Sequence, residues 1–276
     1  MNAIVYQFVR CAALCAVLPL AFVACGKKDS GSAAPEASAS APEKVYVVGT
    51  DAAYAPFESQ NEKGEIVGFD IDVVHAIAAE AGIAVTFANT PWEGIFNALK
   101  QGDRDLLVSS ITITDERKLS MDFTDPYFDA HQLIAVKAGS TIVRFEDLKG
   151  RKVGVQTGTT GDETISKLQG KNSPDVKRFE STPLALKELE TGGIDAVVAD
   201  NGVVVNYVKN NAGNKFKTVN DAAFAPEHYG IAVKKGNAAL LAKLNKGLAA
   251  IKANGSYDRI YASYLSAPEP AAAASK

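Results

Sequence analysis

Apolar residues recur along this chain in two patterns. Short Val-, Ala- and Leu-rich runs lie at Lys44–Gly49, Val85–Ala88, Asp105–Val108, Lys152–Val155, Val176–Phe179 and Ala196–Ala199. Their length and composition predict strands. Helical patterns separate them at Ile71–Ala81, Gly94–Gln101, Gly161–Gln169, Pro183–Glu190 and Val203–Lys209. Strands alternating with helices predict an α/β architecture with mainly parallel sheets.

The two ends follow neither pattern. Cys11 to Ala24 is an unbroken apolar run of 14 residues, preceded by Arg10. It is too short to span a bilayer as a helix but suits the core of a signal peptide. Residues 29–42 are rich in Ser, Ala, Gly and Pro and read as a flexible tether. The tail after Ser266 is similarly low in complexity. This leaves a signal peptide over 1–24, a linker over 25–43, a folded body over 44–265 and a disordered tail over 266–276.

Within the body, Ile134-Ala-Val-Lys-Ala-Gly139 and Ile231-Ala-Val-Lys-Lys-Gly236 nearly repeat each other. Two copies this far apart do not make a solenoid. A Val/Ala-rich chain can produce such a match by chance. Alternatively, the chain crosses twice between two lobes, with these strands side by side as a hinge. The first lobe would then be discontinuous, 44–133 plus 232–265, and the second would cover 137–229.

Composition narrows the chemistry. Hydrophobic residues make up 47% and charged residues 22%, ordinary for a soluble domain. A formal charge of −3 does not suggest a nucleic-acid binder. The three cysteines, Cys11, Cys15 and Cys25, all precede the body. A disulfide framework, a cysteine zinc site and a cysteine nucleophile are therefore excluded from it. His75, His131 and His228 show no metal spacing, and no Gly-x-Ser-x-Gly or His-Glu-x-x-His occurs. Neither a metal nor a cofactor is expected.

Ligands of open parallel sheets bind at the carboxyl ends of strands. Four such ends carry polar clusters: Thr50 to Tyr54, Ser109 to Arg117, Gln156 to Gly161, and Asp200 with Asn201. Thr114 is a plausible N-cap that puts Arg117 in a first helical turn, where a cation opposes the helix dipole unless an anion meets it. A surface arginine paired with Asp115 or Glu116 fits the local sequence equally well. Gly158-Thr159-Thr160-Gly161 can hold an anion on free N–H groups or simply cap a helix; it is neither a phosphate loop nor a dinucleotide fingerprint. Asp200 can receive an ammonium, whereas Asp195 starts the same strand and points to the opposite end. Asp51 with Tyr54 can face a cleft or form a turn. Trp92, the single tryptophan, is either lobe core or an aromatic clamp.

Together these segments resemble the bacterial extracellular solute-binding proteins of family 3, the polar amino-acid receptors of ABC importers. The resemblance rests on Gly68-Phe-Asp-Ile-Asp-Val-Val-His-Ala-Ile-Ala-Ala-Glu-Ala81, Ile113-Thr-Asp-Glu-Arg117, Asp122-Phe-Thr-Asp-Pro-Tyr127, Asp147-Leu-Lys-Gly150, Gly158-Thr159-Thr160, Ile194-Asp-Ala-Val197 and Asn254 to Tyr261. It implies the type II periplasmic-binding-protein fold, two α/β lobes joined by two hinge strands and closing on a ligand. It also implies a monomer that hands an L-amino acid to an inner-membrane permease, without catalysis. On this resemblance Arg117 grips the α-carboxylate, helped by Thr112 and the backbone at Thr160, with Thr159 beside it. Asp200 takes the α-ammonium with Ser110. Asp51, Tyr54, Trp92, Ser109 and Gln156 line the side-chain pocket.

Gly154 to Thr160 looks most like the arginine and basic amino-acid receptors. Glutamine, other polar amino acids and cystine come next, and a dehydratase on the same fold is the enzymatic alternative. Phe22-Val-Ala-Cys25 resembles a bacterial lipobox, which implies a lipid on Cys25 and attachment to the periplasmic face of a membrane. Gly26 directs that anchor toward the outer membrane if the cell has one.

Overall fold

The computed structural model describes residues 44–212 and 215–265. The expected signal peptide, Cys25, the linker to residue 43 and the tail over 266–276 lie outside the described residues. In chain order the elements run β1 (Val45–Thr50), β2 (Ala53–Tyr54), β3 (Glu58–Gln60), β4 (Ile66–Val67), α1 (Phe69–Ala81), β5 (Ala84–Asn89), α2 (Trp92–Gln101), β6 (Leu106–Leu107), α3 (Asp115–Ser120), β7 (Met121–Phe123) and β8 (Phe128–Ala130). They continue with β9 (Gln132–Lys137), β10 (Val153–Gln156), α4 (Thr160–Gln169), β11 (Val176–Phe179), α5 (Thr182–Thr191), β12 (Ala196–Asp200) and α6 (Asn201–Tyr207). The last are β13 (Phe216–Val219), β14 (Glu227–Tyr229), β15 (Ala232–Lys234), α7 (Ala238–Ala253) and α8 (Ser256–Leu265).

Two five-stranded sheets carry the two lobes, in the orders β5-β1-β6-β15-β7 and β11-β10-β12-β9-β13. In the first, β1 runs parallel to β5 and β6, while β15 is antiparallel to β6 and β7. The second repeats this plan: β10 is parallel to β11 and β12, and β9 is antiparallel to β12 and β13. The sheets are therefore mixed rather than mainly parallel. Each takes in one opposed strand where the chain arrives from the other lobe.

That plan corrects the expected hinge. Ile134–Gly139 and Ile231–Gly236 do not lie side by side; they fall on β9 and β15, which hold the same place in different sheets. The strands that pair between the sheets are β8 and β14, with Asp129 opposite His228 and Ala130 opposite Glu227. Each near-repeat follows directly on one of these hinge strands. The second sheet thus begins at Gln132, inside the expected first lobe, and its last strand ends at Val219. Likeness in sequence marked equivalent positions, not neighbouring ones.

Both sheets are buried on two faces, which explains their continuous apolar strands. On β12, Ala196 and Val198 join one core cluster while Val197 and Ala199 join another on the opposite face. On β6, Leu106 and Leu107 divide in the same way. Polar residues on such strands have room only at the ends.

Two glycines set close approaches. Gly68 has φ +141°, and a Cβ there would stand 2.1 Å from the Phe57 carbonyl oxygen. Its freedom lets the Asp70 N–H bond that carbonyl at 3.0 Å, which seats the start of α1 under β3. Gly247 lets α7 lie against α1, because a Cβ there would come within 2.5 Å of the Ile77 carbonyl oxygen. Gly247→Ala is expected to lower stability by about 1–3 kcal/mol through overpacking. A fall in Tm measures this, and an unchanged Tm would contradict the tight crossing.

Candidate functional site

The carboxyl ends of β1, β6, β10 and β12 converge between the lobes. All eleven residues nominated from sequence line one cavity there.

Asp200 ends β12 and is buried. Its carboxylate accepts from the Tyr54 phenol at 2.9 Å, from the Tyr229 phenol and from the Gln132 amide. These donors come from the first lobe, a hinge strand and the second lobe. Burial, then the nearby Glu227 charge, pushes the Asp200 carboxyl up to about 6, while the three donors pull it down. Asp195, at the other end of the strand, accepts instead from the Lys152 N–H at 2.8 Å.

Arg117 sits in the first turn of α3, where the Thr114 hydroxyl accepts its N–H at 3.2 Å. Among the described residues no carboxylate pairs with it; Asp115 pairs with Lys118 at 3.2 Å. Its guanidinium donates to the Thr112 carbonyl at 2.9 Å and reaches toward the Gly158 carbonyl of the other lobe at 3.5 Å. The rings of Trp92 and Phe96 both lie 5.3 Å from its Cζ. Burial lowers its pKa, opposed by Glu163, Glu227 and Asp200, and the group stays charged. A cation with spare donors therefore faces the cavity. Trp92 also packs edge-on against Phe96 at 5.1 Å, so it serves both core and cavity.

The Thr159 hydroxyl caps α4, accepting from the Asp162 N–H at 3.2 Å and donating to the Gln156 carbonyl at 2.8 Å. The capping reading is met, and the start of α4 still opens toward the cavity. At the far end, Gln156 is aimed by the Thr182 hydroxyl and the Glu180 carbonyl, with its amide nitrogen 3.5 Å from an Asp51 oxygen. Burial raises the Asp51 pKa, with Glu180 adding; the Trp92 N–H and Gln156 oppose. Ser110 has φ +48°, uncommon for a residue with a side chain. Its hydroxyl is buried with no partner among the described residues. A strained backbone with an orphan hydroxyl in a cavity is a common mark of a ligand site.

Residues 46–267 match the model of bacterial extracellular solute-binding proteins, family 3. The chain belongs to that family. It is 47% identical to a probable histidine-binding protein of Neisseria gonorrhoeae, covering 92% of this chain and 94% of that one. It is 38% identical to the ABC transporter arginine-binding protein 1 of Escherichia coli, covering 80% and 90%. Among solved structures, the arginine-, lysine-, histidine-binding protein ArtJ of Geobacillus stearothermophilus superposes with a TM-score of 0.78. It is 45% identical, covering 82% of this chain and 97% of that one.

The rule that ligands meet parallel sheets at strand ends directed attention there and missed what lies beneath and behind them. Gln132 and Tyr229 donate to Asp200, and Glu227 accepts from Thr112, without having been nominated. Under the floor, Ser109 donates to Glu58 at 3.0 Å, and Asp70 accepts from the Ser110 N–H at 2.8 Å and the Tyr127 phenol at 2.7 Å. Glu58 and Asp70 are fully buried, and one oxygen of each has no donor among the described residues. Desolvation, then the Asp70 charge, drives the Glu58 carboxyl well above its usual range. The available signals were two acids, Asp70 and Asp72, in the first turn of α1 and a glutamate directly after Phe57.

A carboxyl with a raised folded pKa supports folding fully below its unfolded pKa and loses that support as pH rises through the folded value. Glu58→Gln keeps a neutral hydrogen-bonding group and removes this loss. The Tm of Glu58→Gln relative to wild type is expected to climb from acid to neutral pH. A difference that stays constant with pH would show that Glu58 is ionised in the folded protein.

Proposed function

We propose that this protein is the amino-acid receptor of an ABC importer, taking a basic L-amino acid between its lobes and handing it to the permease. A zwitterion needs one cation and one anion, and Arg117 and Asp200 supply them at one end of the cavity. Asp51 is then left without a counter-charge at the other end. That unpaired acid, raised by burial, is the observation that favours an arginine- or histidine-like side chain over a neutral one. The histidine- and arginine-binding relatives support the same choice. Gln156 adds an amide oriented by two fixed bonds, and Tyr54 and Trp92 add ring faces.

On this reading Arg117 grips the carboxylate with the start of α4, and Asp200 with Ser110 holds the ammonium. No bond is made or broken, and lobe closure is the working step. The protein works as a monomer. Ahead of the receptor, residues 1–24 are cleaved as a signal peptide and residues 25–43 tether the receptor to a lipid on Cys25. That anchor puts it on the periplasmic face, at the outer membrane where one exists. Intact-mass measurement of the mature protein is expected to show acylated Cys25; an unmodified thiol there removes the anchor.

Thermal melting against the twenty amino acids, ornithine, citrulline and cystine tests the ligand. At about 100-fold its Kd the true ligand adds roughly 2.7 kcal/mol of stability. Arginine, lysine or histidine is expected to give the largest shift. Arg117→Ala and Asp200→Ala are expected to abolish it, and Asp195→Ala to leave it. Asp51→Asn is expected to weaken basic ligands about tenfold or more while sparing glutamine. No shift with any amino acid would overturn the receptor reading; shifts confined to neutral ones would overturn the basic preference.

A further inference from the structure

Glu227 opens hinge strand β14, and its carboxylate reaches both lobes. Its Oε2 accepts from the Thr112 hydroxyl at 2.6 Å and from the Thr160 hydroxyl at 3.0 Å. Its Oε1 accepts from the Gln132 amide at 3.0 Å. Thr112 follows β6 in the first lobe, whereas Thr160 opens α4 in the second. The backbone also binds Thr112 to the hinge: it bridges to Tyr229, and the next N–H, of Ile113, bonds the His228 carbonyl at 2.8 Å.

A hydroxyl has a single proton to give. Thr112 and Thr160 both line the cavity, and both give that proton to Glu227. Toward a ligand, the Thr112 oxygen can then only accept. An acceptor-only oxygen suits an ammonium and repels a carboxylate. This revises the role expected for Thr112, which was to help Arg117 with the carboxylate. The two Gln132 amide protons go to the nearer acceptors, Asp200 and Glu227; the Thr160 hydroxyl has likewise given its proton to Glu227, so its backbone N–H is what remains for an anion.

We propose that Glu227 is a positioning residue that fixes which end of a zwitterion the two threonines meet. By holding both hydroxyl protons it makes Thr112 an acceptor for the ligand ammonium beside Asp200. It leaves the carboxylate to Arg117 and the start of α4. Because one oxygen takes a proton from each lobe, the arrangement is complete only when the lobes are shut. The proposal rests on the amino-acid reading given above.

Glu227→Gln tests it with little change of shape. The Gln132 amide must still find an acceptor, so the new side chain keeps its oxygen there and turns its NH2 toward the threonines. Their hydroxyls then point protons into the cavity. The measurement is Kd by calorimetry for L-arginine and for 5-guanidinopentanoate, which lacks the amine. L-Histidine and 3-(imidazol-4-yl)propanoate replace them if histidine binds more tightly. Glu227→Gln is expected to weaken the amino acid about tenfold or more, the size of one lost hydrogen bond to a charged group, and to spare the amine-free analogue. Thr112→Val is expected to do the same, and the double variant to bind no worse than Thr112→Val.

A folded Glu227→Gln protein that keeps the wild-type preference for the amine overturns the proposal, as does an additive double variant. Should Glu227→Gln not fold, Thr112→Val decides: a lost preference supports the proposal and a kept one overturns it. Wild-type protein that binds neither amino acid fails differently, since it removes the receptor reading itself and the proposal with it.

Discussion

A carboxylate taken out of water must be given donors, because a buried and unpaired charge costs several kcal/mol. Asp200 draws its donors from Tyr54, Tyr229 and Gln132, one in each mechanical part of the molecule. The Asp200 charge is thus held by donors from both lobes and from the hinge between them. Phe57, whose ring stacks near Tyr54 at 6.4 Å, lies on the same side and meets Gly202, where a Cβ would come within 2.6 Å of the ring. Closure needs a hydrogen bond at one point and the absence of a side chain at the next.

The parts of the site that were legible in sequence share a cause. Sheets buried on both faces exclude polar residues from strand interiors, so an acid such as Asp200 after Ala196-Val-Val-Ala199 announces a strand end. The same argument located Asp51, Ser109 and Gln156. Arg117 could be read because a cation in a first helical turn is out of place. The strand and helix cores were legible for the ordinary reason that their apolar periods differ.

What stayed hidden depends on register between distant segments. Glu227 meets Thr112 across 115 positions and Gln132 across 95. Nothing local distinguishes it from a solvated glutamate before a strand. The near-repeat misled for a related reason. Equivalent places in two similar sheets demand similar residues, and so do neighbouring places in one sheet, so likeness alone cannot separate them. The mixed character of the sheets follows from crossings that a local reading of strands and helices does not see.

The place of β15 has a consequence for the order in which the molecule can form. It lies inside the first sheet, between β6 and β7, although its residues come more than a hundred positions after theirs. The strands of the second sheet, from Gln132 to Val219, are contiguous and can assemble as soon as they exist. The first sheet must wait with a gap in its middle until the strands of the second have been made, and α1 must wait for α7 to cover it. Synthesis therefore runs against assembly: the lobe whose residues are made first is the last to close its core.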